Sequence, residues 1–453
     1  MTVLFFLHPG TNSRSQFTDL IKGFGQAGHT VIIWDTTQAA QLITAQPQNQ
    51  AAIREQVSTQ LGKLIRDRKI DMSVAMWGNG LGLTSNHQID GRVVTFFERL
   101  ACPHLLMWLD APERAHQESV RPVFKSGFFG LPYLFHFINN PVTAIEMREV
   151  YRFKNVLPRH YGVNPDAFKP YPDEPKQFDL VFNANFGCWD DAPDWVSGEL
   201  GKDEPDILAL RTAVAQSQRN ERLKLVERFA PALGDAADLM LERLAEMQLQ
   251  NRERPMLGRV RELTAAGSAA AKATLEDPEL YAAVATQIRR IESYERAFVF
   301  VHLSKHFNCG LFGNIDYSRM GCSVKSLGLV KYEDQARIYN QAKIGLSVMR
   351  WEDEAGYHVK PYEITASGVA CMAQHRQETD HLFTDSELIR FHTPADARRK
   401  VRELLDDPAK LTALAAGGRA RTLRDHTWAT WANDMIGQIA QWKSQHSPSH
   451  AAA

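Results

Sequence analysis

Residues 360–373 read KPYEITASGVACMA. Pro361 stands where a helix would begin: its ring presets a helical φ, and the N–H it lacks would have no intrahelical partner there. Gly368 stands where that helix must stop, because glycine enters the left-handed C-cap conformation without steric cost. Between them there is room for two turns. An apolar run from Gly368 to Ala373 follows at once, and another, Ile344 to Met349, comes before. Strand, short helix and strand in succession predict a parallel sheet.

The same alternation extends in both directions. At the N-terminus, Val3 to Leu7 is a continuous apolar run closed by His8-Pro9-Gly10, as in a buried parallel strand. Phe17, Leu20, Ile21 and Phe24 then recur at helical spacing, and Thr30 to Trp34, Met72 to Met76 and His104 to Leu109 read as further strands. A second series opens with Phe178 to Asn183 and continues with Cys309 to Gly313, Ser326 to Val330, Ile344 to Met349, Gly368 to Ala373 and Leu388 to Phe391. The predicted class is α/β, with two doubly wound parallel-sheet domains whose ligands sit at the carboxyl ends of the strands. About 200–297 lacks strand signals; Leu223, Val226, Leu233, Leu239, Leu241 and Leu244 are loosely helical in spacing, so a helical insertion is expected there. Pro158, Gly162, Pro165 and Pro170 mark a linker. The expected division is an N-terminal domain over 1–157, a linker over 158–175 and a C-terminal domain over 176–425. A helix over 426–445 would return toward the N-terminal domain, ahead of a disordered tail over 446–453.

Bulk properties narrow the function. With 453 residues and a formal net charge of -1, the chain has room for two domains and carries no basic field for nucleic acid. Five cysteines, odd in number and without C-x-x-C spacing, suit a reducing compartment and argue against a zinc ribbon. No apolar run reaches bilayer length, so a cytoplasmic protein is expected. The aromatic stretch FFGLPYLFHFI at 128–138 reads as core or as an acceptor- or membrane-facing surface, which leaves peripheral contact with the inner membrane face open.

Motif searches exclude several chemistries. There is no P-loop, G-x-S-x-G elbow or H-E-x-x-H pair. Trp77 to Gly82 (WGNGLG) follows a strand without matching G-x-G-x-x-G, and reads better as a tight turn than as a dinucleotide site. The 360–368 segment offers more. A helix N-terminus with Lys360 beside it attracts anions, and a carboxylate in its first turn, Glu363, can accept two hydrogen bonds from vicinal hydroxyls. Those features describe a nucleoside-diphosphate clamp; a plain capping glutamate is the alternative.

The segment from Lys360 to Gly368 resembles the K/R-x-x-E-x-x-A-x-G element of glycosyltransferase family 4 and of the spore-maturation-protein-type glycosyltransferases. Other pieces resemble these enzymes in the same order. They are Trp108 to Pro112 (WLDAP), Val156 to Asn164 with Phe168 and Pro170, Phe178 to Asn185, Gly310 to Gly313, Leu327 to Val330, Tyr339 to Leu346, and His426 to Trp431. The resemblance implies a GT-B fold and a retaining, metal-independent glycosyltransferase, moving sugar from a nucleotide-sugar donor to a saccharide, lipid-linked or protein acceptor. No cofactor is implied beyond that co-substrate. The donor nucleotide would meet Glu363, Lys360, Tyr362, Val330, Lys331, Gly313, Arg319, Arg350 and His358. Strand ends of the first half would supply the acceptor side through His8, Gly10, Trp77 and Asn79, with Asp110 and His116 as catalytic candidates.

Two positions depart from the family pattern. A second glutamate is usual eight residues before the ribose glutamate, where this chain has Ala355; Glu354 beside it is the candidate for the donor sugar. Trp431 stands where arginine is usual. A sugar-nucleotide 2-epimerase of the same fold and a GT-B-like binding module without catalysis are the rival readings.

Overall fold

The computed structural model describes residues 1–7, 11–112, 126–184, 194–222, 224 and 234–446. It divides into two compact units: Met1–Asn164 together with the stretch from Asp425 onward, and Pro165–Arg424.

The first unit is built on six parallel strands: β1 (Thr2–Leu7), β2 (Thr30–Asp35), β3 (Met72–Met76), β6 (His104–Trp108), β7 (Leu134–Ile138) and β8 (Asn155–Pro158). A short antiparallel hairpin, β4 (His87–Ile89) with β5 (Arg92–Val94), stands apart from it. The sheet order is β2-β1-β3-β6-β7-β8, so the direction of winding reverses between β1 and β3. Much of the aromatic stretch at 128–138 forms β7, every residue of which is buried, so it belongs to the core. The Trp428–His446 helix packs in this unit. Trp431 is 1% exposed, with its ring 5.0 Å from Phe137 and 6.2 Å from Phe24. Trp442 lies 5.2 Å from Tyr133 and 5.0 Å from Phe135. An apolar ring is therefore what this position uses, in place of the arginine seen in the enzymes that the segment resembles.

The second unit is built on five parallel strands: β9 (Phe178–Asn183), β10 (Cys309–Phe312), β11 (Ala342–Ser347), β12 (Ala370–Gln374) and β13 (Ile389–Phe391). Their order is β10-β9-β11-β12-β13, which puts the reversal between β9 and β11. The expected strand over Ser326–Val330 does not form. Gly328 takes φ +93°, outside the extended region, and only single bridges from Leu311 to Ser326 and from Gly313 to Gly328 remain.

The chain between β9 and β10 is helical among its described residues, as the insertion requires. Its helices include Gly234–Gln250, Met256–Ala265 and Pro278–Arg289, and Glu295–Ser304 leads into β10. Leu241 and Leu244 are buried, whereas Leu239 is exposed; Leu223, Val226 and Leu233 lie outside the described residues.

Candidate functional site

A concentration of polar groups lies at the C-terminal ends of β9 and β11, on either side of the second sheet's winding reversal. Open α/β sheets place their ligands at such points because loops there diverge and leave a crevice. The chain leaves β11 through a buried loop and enters the Lys360–Ala366 helix, with Pro361 at its start; Gly368 follows at φ +74°.

Glu363 is 1% exposed. Its Oε2 accepts from Lys360 Nζ at 2.8 Å and from the Tyr339 hydroxyl at 3.3 Å. Lys360 Nζ also donates to Gln335 Oε1 at 2.7 Å. Among the described residues Oε1 of Glu363 has no hydrogen-bond partner. Burial, followed by the charge of Glu363, raises the Tyr339 phenol well above its ordinary pKa, so the hydroxyl stays a donor. His358 accepts from the Lys360 backbone N–H through Nδ1 at 3.1 Å. Burial pushes its pKa well below the usual value, and Arg296, Arg350 and Lys360 push the same way, so the ring is neutral.

The other donor-side candidates take different places. Tyr362 is fully buried, its ring 5.8 Å from Phe383. Gly313, at φ +126°, brings the chain after β10 so close to that after β9 that a Cβ would lie 1.8 Å from the Ala184 carbonyl oxygen. Its N–H donates to Gly328 O at 2.8 Å. Val330 is half-buried, and Lys331 and Arg319 are exposed. Arg350 Nε lies 2.9 Å from Asp353 and 3.4 Å from Glu352.

Glu354, the candidate for the donor sugar, is held by partners from the helical insertion. Its two carboxylate oxygens accept from the Met256 N–H at 3.1 and 3.2 Å, and Oε2 accepts from Arg289 at 2.8 Å. Arg259 lies 3.9 Å away. Burial raises its carboxyl pKa, but Arg289 and Arg259 outweigh that and hold it below the ordinary value. The carboxylate is committed to docking the helical insertion against the loop after β11. Sequence reasoning could not see this, because its partners lie 65 and 98 residues away.

In the first unit, the corresponding reversal lies between β1 and β3. Trp77 follows β3 with φ +48°, and Asn79 opens the Asn79–Leu83 helix and donates to Thr36 Oγ1 at 3.4 Å. Asp110, two residues past β6, is half-buried. His8, Gly10 and His116 lie outside the described residues. The residues that the sequence missed are Tyr339, Gln335, Asn183 and Ser347. A polar residue closing an apolar strand run is the one signal that could have found the last two.

Residues 289–437 match the family described as Glycosyl transferase-like, and this segment contains Glu363 and Lys360. Among solved structures, sucrose-phosphate synthase from Thermosynechococcus elongatus shares the fold at 10% identity, with 98% of this chain and 99% of that chain covered and a TM-score of 0.50. The Anabaena protein HepE in complex with UDP-glucose aligns at 10% identity over 97% of this chain and 100% of that chain, with a TM-score of 0.48. No curated protein matches the sequence. The architecture is α/β of the GT-B type: two Rossmann-like units, the second carrying the helical insertion.

Proposed function

We propose that this chain is a glycosyltransferase that takes its sugar from a nucleoside-diphosphate donor bound in the second unit. The observation that carries the reading is Glu363, which is buried in the first turn of a helix at the winding reversal. One of its carboxylate oxygens is anchored by Lys360 and Tyr339, and the other is free for a ribose hydroxyl. That this residue falls within the segment matching the Glycosyl transferase-like family supports the same reading.

The chemistry then asks for neutralisation of the diphosphate as the anomeric C–O bond breaks. Lys360, Arg350, Lys331 and Arg319 are the cationic candidates for this role, and fixed charges of this kind replace a metal. Transfer is retaining and metal-independent in this reading, to a saccharide, lipid-linked or protein acceptor. No helix among the described residues is long and apolar enough to cross a membrane.

A thermal-shift screen of UDP-, GDP- and dTDP-sugars on the intact protein tests the donor assignment. A rise in melting temperature with one donor, followed by acceptor-dependent release of its nucleoside diphosphate, is the expected result. No shift with any of them would reject it.

A further inference from the structure

Two polar side chains at the ends of the strands flanking the second sheet's reversal are buried, each with a polar atom that lacks a hydrogen-bond partner. Asn183 closes β9 at 7% exposure, and its Nδ2 has no partner. Ser347 closes β11 at 1% exposure, and its Oγ has none either. The β9–β11 register pairs Leu346 with Phe182, which sets Ser347 beside Asn183. Neighbours across a ladder, and residues two apart along a strand, share a face of the sheet. Gly345 shows which face this is, because a Cβ on it would lie 2.5 Å from Ile364 of the Lys360–Ala366 helix. Asn183 and Ser347 thus face the helix that carries Glu363. Asn183 also lies against the Tyr339 hydroxyl, the group that donates to Glu363.

Buried amides and hydroxyls are normally bonded, and leaving them unpaired is costly unless something else takes them up. The three groups without partners are a carboxylate oxygen that only accepts, an amide nitrogen that only donates, and a hydroxyl that does either. A phosphate, which carries charge and only accepts, is repelled by Glu363. A vicinal diol fits, since each of its hydroxyls donates one hydrogen bond and accepts others.

We propose that Asn183 and Ser347 act with Glu363 as one pocket for both ribose hydroxyls, so that the site selects ribonucleotide donors over 2′-deoxyribonucleotide donors. The inference rests on the nucleotide-sugar reading above. A site built to bond a hydroxyl rejects the analogue lacking it, because its own buried polar groups then stay unpaired.

Calorimetric titration of the intact protein with UDP, GDP and ADP, each beside its 2′-deoxy form, tests this. At least one ribonucleotide should bind, and its deoxy form should bind about ten-fold more weakly or worse. Asn183→Leu or Ser347→Ala should weaken ribonucleotide binding about five-fold or more while leaving the deoxy form within about two-fold. Ser347→Ala should not lower the melting temperature through lost bonding, because its Oγ has no hydrogen bond to lose; Asn183→Ala replaces the leucine variant if that does not fold. Equal binding of ribo and deoxy forms by the wild type overturns the proposal, as does an equal loss of both in the two variants. Binding of no nucleotide at all would instead reject the donor reading beneath it.

Discussion

The Tyr339 hydroxyl and Lys360 Nζ meet on the same oxygen of Glu363, at 3.3 and 2.8 Å, so the carboxylate is fixed in orientation before any ligand arrives. Replacing that carboxylate should therefore remove a preset acceptor. Hydrogen bonds to charged groups contribute roughly 1.5–3 kcal/mol, so Glu363→Gln should weaken nucleotide binding about ten-fold or more. Titration of a variant with wild-type circular dichroism checks it, and unchanged affinity would remove Glu363 from the site.

In the proposed reading, fixed cations rather than a divalent ion neutralise the departing diphosphate. Sugar transfer in EDTA should proceed at the rate seen with manganese or magnesium. Activity that vanishes on chelation and returns with either metal would mean that the neutralising groups have been misassigned.

Glu354 should behave as a structural residue. Removing one partner of a buried ion pair leaves an uncompensated charge and costs about 3–5 kcal/mol. Arg289→Met, which strips Glu354 of its 2.8 Å partner, should lower unfolding stability by about that much while nucleotide affinity holds within about three-fold. A variant of normal stability with poor donor binding would return Glu354 to the sugar.

Two buried imidazoles set a pH dependence. Burial pushes His104 and His136 down to about 3, with the repulsion of His136 adding at His104 and the His136–Phe129 hydrogen bond opposing at His136. His136 accepts from Trp108 through Nδ1 at 3.1 Å and donates to the Phe129 carbonyl through Nε2 at 2.8 Å, an arrangement that needs the neutral ring. Between the ordinary imidazole value of 6.5 and about 3, the unfolded chain binds protons that the folded chain does not. Their contribution is thus complete above that window and declines as pH falls through it. Chemical unfolding at pH 7, 5.5 and 4 should show falling stability, and ring protons of both residues should not titrate in NMR above pH 5.

Gly313→Ala should be among the most damaging single-atom-scale changes. The new methyl would overlap the Ala184 carbonyl and sit at a φ that L-residues rarely adopt. Soluble expression with an unchanged melting temperature would show that the loop relaxes around it.

Much of this architecture could be read from the chain because its central strands are continuous apolar runs: Val3 to Leu7, Met72 to Met76 and Ile344 to Met349 each lie within or around a strand. The strands at the far edge of the first sheet were harder. β7 hides in an aromatic run interrupted by Gly130 and Pro132, and β8 ends on Pro158, which reads as a linker signal. Lys360 and Glu363 were legible since a helix start concentrates their signal within four residues. Tyr339 was not, because a tyrosine in a short helix gains meaning only from a carboxylate 24 positions later. Glu354 shows another limit: the family resemblance suggested a sugar contact there, while the arginines it touches are far away in the sequence.

Sequence continuity has a consequence for biosynthesis. The second unit is one uninterrupted stretch, Pro165–Arg424, whereas the first is assembled from both ends of the chain. As the polypeptide leaves the ribosome, the six strands of the first sheet appear early, but the helix that covers Phe24 and Phe137 with Trp431 is made only after the whole second unit. The later-born unit is therefore ready to close its core first, while the earlier one waits with an apolar face uncovered. The first unit's final consolidation waits for synthesis of the stretch from Asp425 onward, and a chain stalled before Trp428 would present that face to the cell's chaperones and proteases.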